Sequence, residues 1–232
     1  YKPLLIMNEG YADVSYEETA ELVEAQRQEA IRRRMHLVEL PASLKHATLA
    51  PNQKDSVILT KSRAEILSLM SDFIGNFHSP TKKGLYVFGD FGVGKSFLLA
   101  ALAHDLSEKY SVATTMIHYP SFVVNVKNAI QSGQVKAEID TVKKADILIL
   151  DDIGAEQHSP WVRDDVLQVI LQHRMQENLP TFFTSNFSLS DLEKRLSQGK
   201  AGDESWQAKR VMERIRFLAK EVHLKGENRR HE

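Results

Sequence analysis

The chain is 232 residues long, 42% of them hydrophobic, with a formal net charge of −1 and no cysteine. That suffices for one ordinary domain plus an appendage with an ample core. It excludes disulfides and thiolate zinc sites, a membrane-spanning helix, for which no run of about 18 apolar residues exists, and nucleic-acid binding by a domain basic as a whole.

The lack of cysteine fits a reducing cytoplasm, and Tyr1 to Tyr11 lack the basic start and apolar run of a signal peptide. Tyr1 in place of an initiator Met predicts a fragment of a longer chain. Lys2 to Met7 reads as a short strand. Ser15 with Glu18 makes a capping box for a long polar helix, Tyr16 to Leu37, closed by Pro41. Its Glu, Gln and Arg faces suit a solvated connector. Pro41 to Asp55 reads as a loop and Val57 to Phe77 as a helix.

Strand and helix then alternate. Leu85 to Gly89 is an apolar strand and Ser96 to Tyr110 a helix; Thr114 to Tyr119 is a strand and Pro120 to Ser132 a helix. Ile147 to Leu150 is wholly aliphatic, as a strand buried on both faces must be. A helix from Ser159 to Asn178 follows, with Ser159 as cap and Pro160 at its first position. Thr181 to Ser185 and Glu221 to Leu224 complete the strands. The pattern predicts an α/β fold, a five-stranded parallel sheet sandwiched by helices.

The stretch Gly89-Asp90-Phe91-Gly92-Val93-Gly94-Lys95-Ser96, with Phe97 after it, fits the P-loop pattern between an apolar strand and an amphipathic helix. Glycines let the backbone turn its N–H groups onto the phosphates of ATP. Lys95 brings charge to the β- and γ-phosphates, Ser96 offers a hydroxyl to Mg²⁺, and the helix presents its positive end. Ile147-Leu-Ile-Leu ends in Asp151, the second Mg²⁺ anchor, and Asp152. Asp152 is the candidate to polarise the attacking water, with Glu156 as rival. Glutamate is usual at that place in fast ATPases, so the shorter Asp predicts slow hydrolysis. Asn186, ending Thr184-Ser185-Asn186, is the candidate sensor of the γ-phosphate.

These elements together resemble the AAA+ ATPases, and more closely the DnaI/DnaC group of bacterial replicative helicase loaders. The specific stretches are Asp151-Asp-Ile-Gly-Ala-Glu156, Ser159-Pro-Trp-Val-Arg-Asp-Asp-Val166, Asn178-Leu-Pro-Thr-Phe-Phe-Thr-Ser-Asn186, Arg210-Val-Met-Glu-Arg-Ile215 and Gly226-Glu-Asn-Arg-Arg230. The resemblance implies an arginine finger donated to a neighbouring copy, matched here by Arg214, with Arg210 and Arg216 as rivals. It implies self-association through that finger, a hexameric replicative helicase as partner, single-stranded DNA as ligand and primosome assembly as the setting. Two departures stand out: the chain ends too soon for a C-terminal helical lid, and a zinc-bearing N-terminal helicase-binding domain is not expected. Residues 1–40 are then the connector and 41–232 the AAA+ domain. Phe122, Lys127, Lys136, Lys143 and Lys144 are candidates for tracking DNA. A transposase-helper ATPase on duplex DNA and a non-hydrolysing ATP-dependent adaptor remain as alternatives.

Overall fold

The computed structural model describes residues 2–8, 11–41, 44, 47, 49, 60–79, 83–157, 159–199 and 202–229. Lys2–Asn8 (β1) pairs antiparallel with Tyr11–Glu17 (β2), Lys2 opposite Glu17 and Asn8 opposite Tyr11. This ladder takes up Ser15 and Tyr16, so the expected Ser15–Glu18 capping box does not form. Thr19 caps the helix instead, its hydroxyl accepting from the Leu22 N–H at 3.3 Å, and the helix is Ala20–Arg34 (α1).

α1 also ends earlier than the periodicity predicts. Met35 leaves it at φ −92° and ψ 100°, and Met35–Val38 becomes a strand, β3. Met35 is buried and Leu37 half-buried, with His36 and Val38 exposed, the two-residue alternation of a strand against a core. Most of the loop expected over Pro41 to Asp55, and the expected helical start Val57 to Leu59, lie outside the described residues. The helix described there is Lys61–Gly75 (α2), capped by Thr60.

The remaining strands are Gly84–Phe88 (β4), Thr114–His118 (β5), Ile147–Asp151 (β6), Thr181–Ser185 (β7), the short pair Gln198–Gly199 (β8) and Gly202–Asp203 (β9), and Ala219–His223 (β10). The main sheet has six parallel strands in the order β10-β4-β7-β6-β5-β3. All five expected strands are in it, and β3, whose first three residues the sequence places in a helix, is the sixth.

Alternation divides the core in two. Ile147 and Ile149 of β6 join Leu85, Val87 and Phe182 on the face covered by α2 and by Lys95–Tyr110 (α3). Leu148 and Leu150 join Tyr86, Ile117 and Phe183 on the other face. Each Leu or Ile so withdrawn from water contributes about 1.5–3 kcal/mol. The second face is covered by Tyr119–Ser132 (α4), Gln168–Gln176 (α6) and Ser205–Leu218 (α8). Val135–Lys143 (α5) and Leu189–Ser197 (α7) are helices the sequence reading did not mark. The expected single helix from Ser159 is interrupted by a π-helical turn, Val162–Leu167.

Two buried arginines hold the connections. Arg174 donates to Thr181 Oγ1 (2.8 Å) and to the carbonyls of Lys143 (3.1 Å), Ala145 (2.7 Å) and Pro180 (2.7 Å), which ties the entries of β6 and β7 to the end of α5. Arg163, in the π-helical turn, bonds Glu204 at 2.5 Å and the Leu196 carbonyl at 2.9 Å, linking α7 to the start of α8. Both charges are therefore well supplied with acceptors where burial would otherwise be costly. Among the described residues no helix is long and apolar enough to cross a membrane.

Candidate nucleotide site

Because the strands are parallel, β4, β6 and β7 bring their C-terminal ends to one edge, the usual place for a ligand crevice. β4 leads into Gly89–Ser96 and α3 begins at Lys95. Gly94 is the N-cap of α3 at φ 95° and ψ 23°, a left-handed conformation that side chains disfavour. The turn leaves the positive end of α3 at a cavity of about 670 Å³, a size that suits a nucleotide.

Phe91, Gly92, Gly94, Lys95, Ser96 and Phe97 line this cavity. Val93 instead points into the core and is 3% exposed. Gly89 and Asp90 take part through their backbone. Their carbonyls accept from Lys95 Nζ at 2.8 and 2.7 Å, and Asn186 Oδ1 accepts from the same ammonium at 2.8 Å. These acceptors offset the cost of burying the charge. They also hold Lys95 at the mouth of the phosphate turn.

Asp151, Asp152, Thr184 and Asn186 form the opposite wall. The Thr184 hydroxyl donates to Asp151 Oδ1 at 2.7 Å and accepts from the Asp152 N–H at 2.8 Å. Asp152 stands at φ 61°, unusual for a residue with a side chain. Its carboxylate accepts from Asn186 Nδ2 at 2.9 Å. Lys95, Asn186 and Asp152 thus make one hydrogen-bonded chain across the cavity. Ser96 and Asp151 add a hydroxyl and a carboxylate to the same space, hard oxygen donors that fit Mg²⁺.

Other candidates lie apart. Glu156 does not line the cavity; it is 7% exposed and accepts from the Gly154 N–H at 2.7 Å. Burial pushes its carboxyl above the usual range, opposed by its hydrogen bonds. Arg214 Nε donates to Gln172 Oε1 at 2.8 Å, and its Nη1 to the Arg210 carbonyl. Burial, and then the charge of Arg210, lower its pKa. Arg216 pairs with Glu193 at 2.6 Å and Glu213 at 3.2 Å, while Arg210 is exposed. None of the three arginines lines the cavity of its own chain. Phe122 cannot serve as an exposed stacking platform: it is 6% exposed and belongs to the core under α4. Lys143 and Lys144 both pair with Asp140, at 2.6 and 3.8 Å.

Residues 6–232 match the IstB-like ATP binding protein family. The chain belongs to that family. Within it, the kinship is with the DnaI/DnaC-type helicase loaders. The chain is 39% identical, over its whole length and 73% of the relative's, to the replicative helicase loader DnaI of Bacillus subtilis (strain 168). A crystal structure of a candidate primosome component from Streptococcus pyogenes serotype M3 shares 53% identity over 88% of this chain and 99% of its own, with a TM-score of 0.73. A crystal structure of DnaI shares 36% identity over 83% of this chain and 98% of its own, with a TM-score of 0.74. The crystal structure of the DnaC helicase loader, 24% identical with a TM-score of 0.66, supports the AAA+ fold alone.

This IstB-like site also has walls that the sequence motifs did not reveal. Glu39, Leu40, Pro41 and Leu44 close one side and Arg229 another. His118 lies beside Asp151 in the sheet register and bonds Ser121 Oγ at 2.8 Å. Hydrogen bonds from Asn125 and Ser121 hold the Glu39 carboxyl below the usual range. Only register could have pointed to His118, since it ends the strand next to β6. The role of Thr184 was equally hidden, for a strand-end threonine has no signature of its own.

Proposed function

We propose that this protein is an ATP-dependent loader of the replicative DNA helicase, acting with single-stranded DNA during primosome assembly in the cytoplasm. The observation that carries the reading is the convergence of Lys95, Ser96, Asp151, Asp152 and Asn186 on one cavity, in a chain 39% identical to a helicase loader. In this reading the glycine turn and Lys95 hold the phosphates of ATP, and Ser96 and Asp151 hold Mg²⁺, which supplies charge neutralisation. Asp152, oriented by Asn186, takes the proton of the attacking water. Asn186 also bonds Lys95, so its amide is suited to sensing whether that ammonium has been drawn toward phosphate.

Arg214 is the finger in this scheme, offered to the ATP of a neighbouring copy, with self-association as its requirement. Hydrolysis is slow because Asp152 reaches less far than the usual glutamate. The division into a connector, residues 1–40, and an ATPase domain, 41–232, belongs to the same proposal, although β3 of the connector segment pairs with β5 in the main sheet. Release of the helicase follows turnover.

A loading assay tests this directly. The host's hexameric helicase, a closed circular single strand with an annealed primer, and Mg²⁺-ATP are mixed with and without the protein. Primer displacement should depend on the protein and fail with Lys95→Ala. Displacement at the same rate without it contradicts the loader reading. Stable ATP-dependent filaments on duplex DNA would instead favour the transposase-helper alternative.

A further inference from the structure

After β10 the chain turns back over the phosphate turn. The Leu224 N–H donates to the Phe88 carbonyl at 2.7 Å, extending the edge of the sheet by one bond. Lys225 is then fixed to the start of α2. Its N–H donates to Ser62 Oγ at 3.0 Å, and its carbonyl accepts from the Thr60 and Ser62 hydroxyls, each at 3.2 Å. A Cβ placed on Gly226 would lie 4.0 Å from Val93 Cβ, ordinary contact distance. Asn228 lies on Gly92 so closely that a Cβ there would fall 1.8 Å from its Oδ1. The Arg229 N–H donates to the Gly92 carbonyl at 3.0 Å, and Arg229 lines the cavity together with Lys95, Ser96 and Asp151.

From this geometry we infer that Arg229 is a second phosphate-binding cation of the nucleotide site, carried in cis by a strap of residues 225–229. The inference rests on the ATP-site reading above and extends it. Three features support it. The strap is tied at both ends, to α2 through Lys225 and to the phosphate turn through Arg229, so the guanidinium has a defined approach. Gly92 leaves room for Asn228, so the turn and the strap fit as a pair. Arg63, in the first turn of α2, brings Nη1 to 3.4 Å from the Cβ position of Gly94, so the anchoring helix adds positive charge at the same place. A planar guanidinium with several donors suits phosphate oxygens better than a point charge alone.

The test uses the full chain, a fluorescent ATP with an unmodified triphosphate, and Mg²⁺. Arg229→Ala should raise the ATP Kd at least about tenfold, the loss of one charge-assisted hydrogen bond. Its Kd should depend less steeply on salt, because a charge–charge contact has gone. Arg229→Lys should recover part of the affinity and the salt slope. If Arg229→Ala lowers the melting temperature, Arg229→Gln provides the same comparison with a longer polar stem. Wild-type affinity in Arg229→Ala, or a loss with an unchanged salt slope, overturns the inference and leaves the site reading intact. A wild-type chain that binds no ATP overturns both.

Discussion

Thr184 is the least conspicuous member of the candidate site and provides its sharpest structural test. Its hydroxyl is the single bridge described between Asp151 and the backbone of Asp152, donating at 2.7 Å and accepting at 2.8 Å. Thr184 is 1% exposed and Asp151 5% exposed. Thr184→Val keeps the shape and removes both bonds. A hydrogen bond to a charged group contributes about 1.5–3 kcal/mol and a buried donor deprived of its acceptor costs about 1–3 kcal/mol. Water entering from the cavity recovers part of this, leaving about 2–4 kcal/mol of destabilisation. For a protein of this size that lowers Tm by about 4–16 °C. Turnover should fall as well, because Asp152 loses the bond that helps hold it at φ 61°. Thr184→Ser keeps the hydroxyl and should lose about 1 kcal/mol or less through its missing methyl. Calorimetry and steady-state ATP turnover on the three proteins decide the matter. A valine variant melting within about 2 °C of wild type, or a serine variant falling as far as the valine, refutes the bridge.

Lys95→Ala should abolish detectable ATP binding in calorimetric titration, since among the described residues it removes the one lysine that lines the cavity. Asp152→Asn should bind ATP with unchanged affinity and lose at least about tenfold in turnover, a modest share of general-base catalysis; equal turnover would support the non-hydrolysing adaptor. Arg214→Ala should leave ATP affinity unchanged and depress only the turnover that rises with protein concentration, and wild-type turnover would move the finger to Arg210 or Arg216. Glu156 has its pKa raised by burial, so its ionised form disfavours folding at neutral pH. Glu156→Gln should therefore melt higher than wild type at pH 7.5, with the advantage disappearing below about pH 4, where the carboxyl is protonated in folded and unfolded chains alike. An advantage independent of pH would show that the carboxylate is not the cause.

What was legible in the sequence was what is local. The phosphate turn is contiguous, its glycines and Lys95 fixed by the chemistry of one loop. The Asp151–Asp152 pair follows from an aliphatic strand, and Asn186 from a strand end close by in the same pattern. What was not legible depends on register and on distant partners. His118 enters the site because β5 runs beside β6, and Arg229 because the chain folds back across β4 after β10. Met35 to Leu37 reads as the tail of a helix because nothing in three residues outweighs the polar periodicity before them; pairing of Met35–Val38 with β5 decides it. Phe122 misleads for the converse reason. An aromatic among lysines suggests nucleic acid until the helix period shows it inward with Val123 and Val126.

If this chain is a helicase loader, it meets the replicative helicase under the control of ATP. Native mass spectrometry of the protein mixed with its host's helicase, with ATP and without it, tests that most directly. A defined number of loader copies should sit on a helicase hexamer when Mg²⁺-ATP is present, and that assembly should be lost with Lys95→Ala. A helicase hexamer of unchanged mass under every nucleotide condition would contradict it.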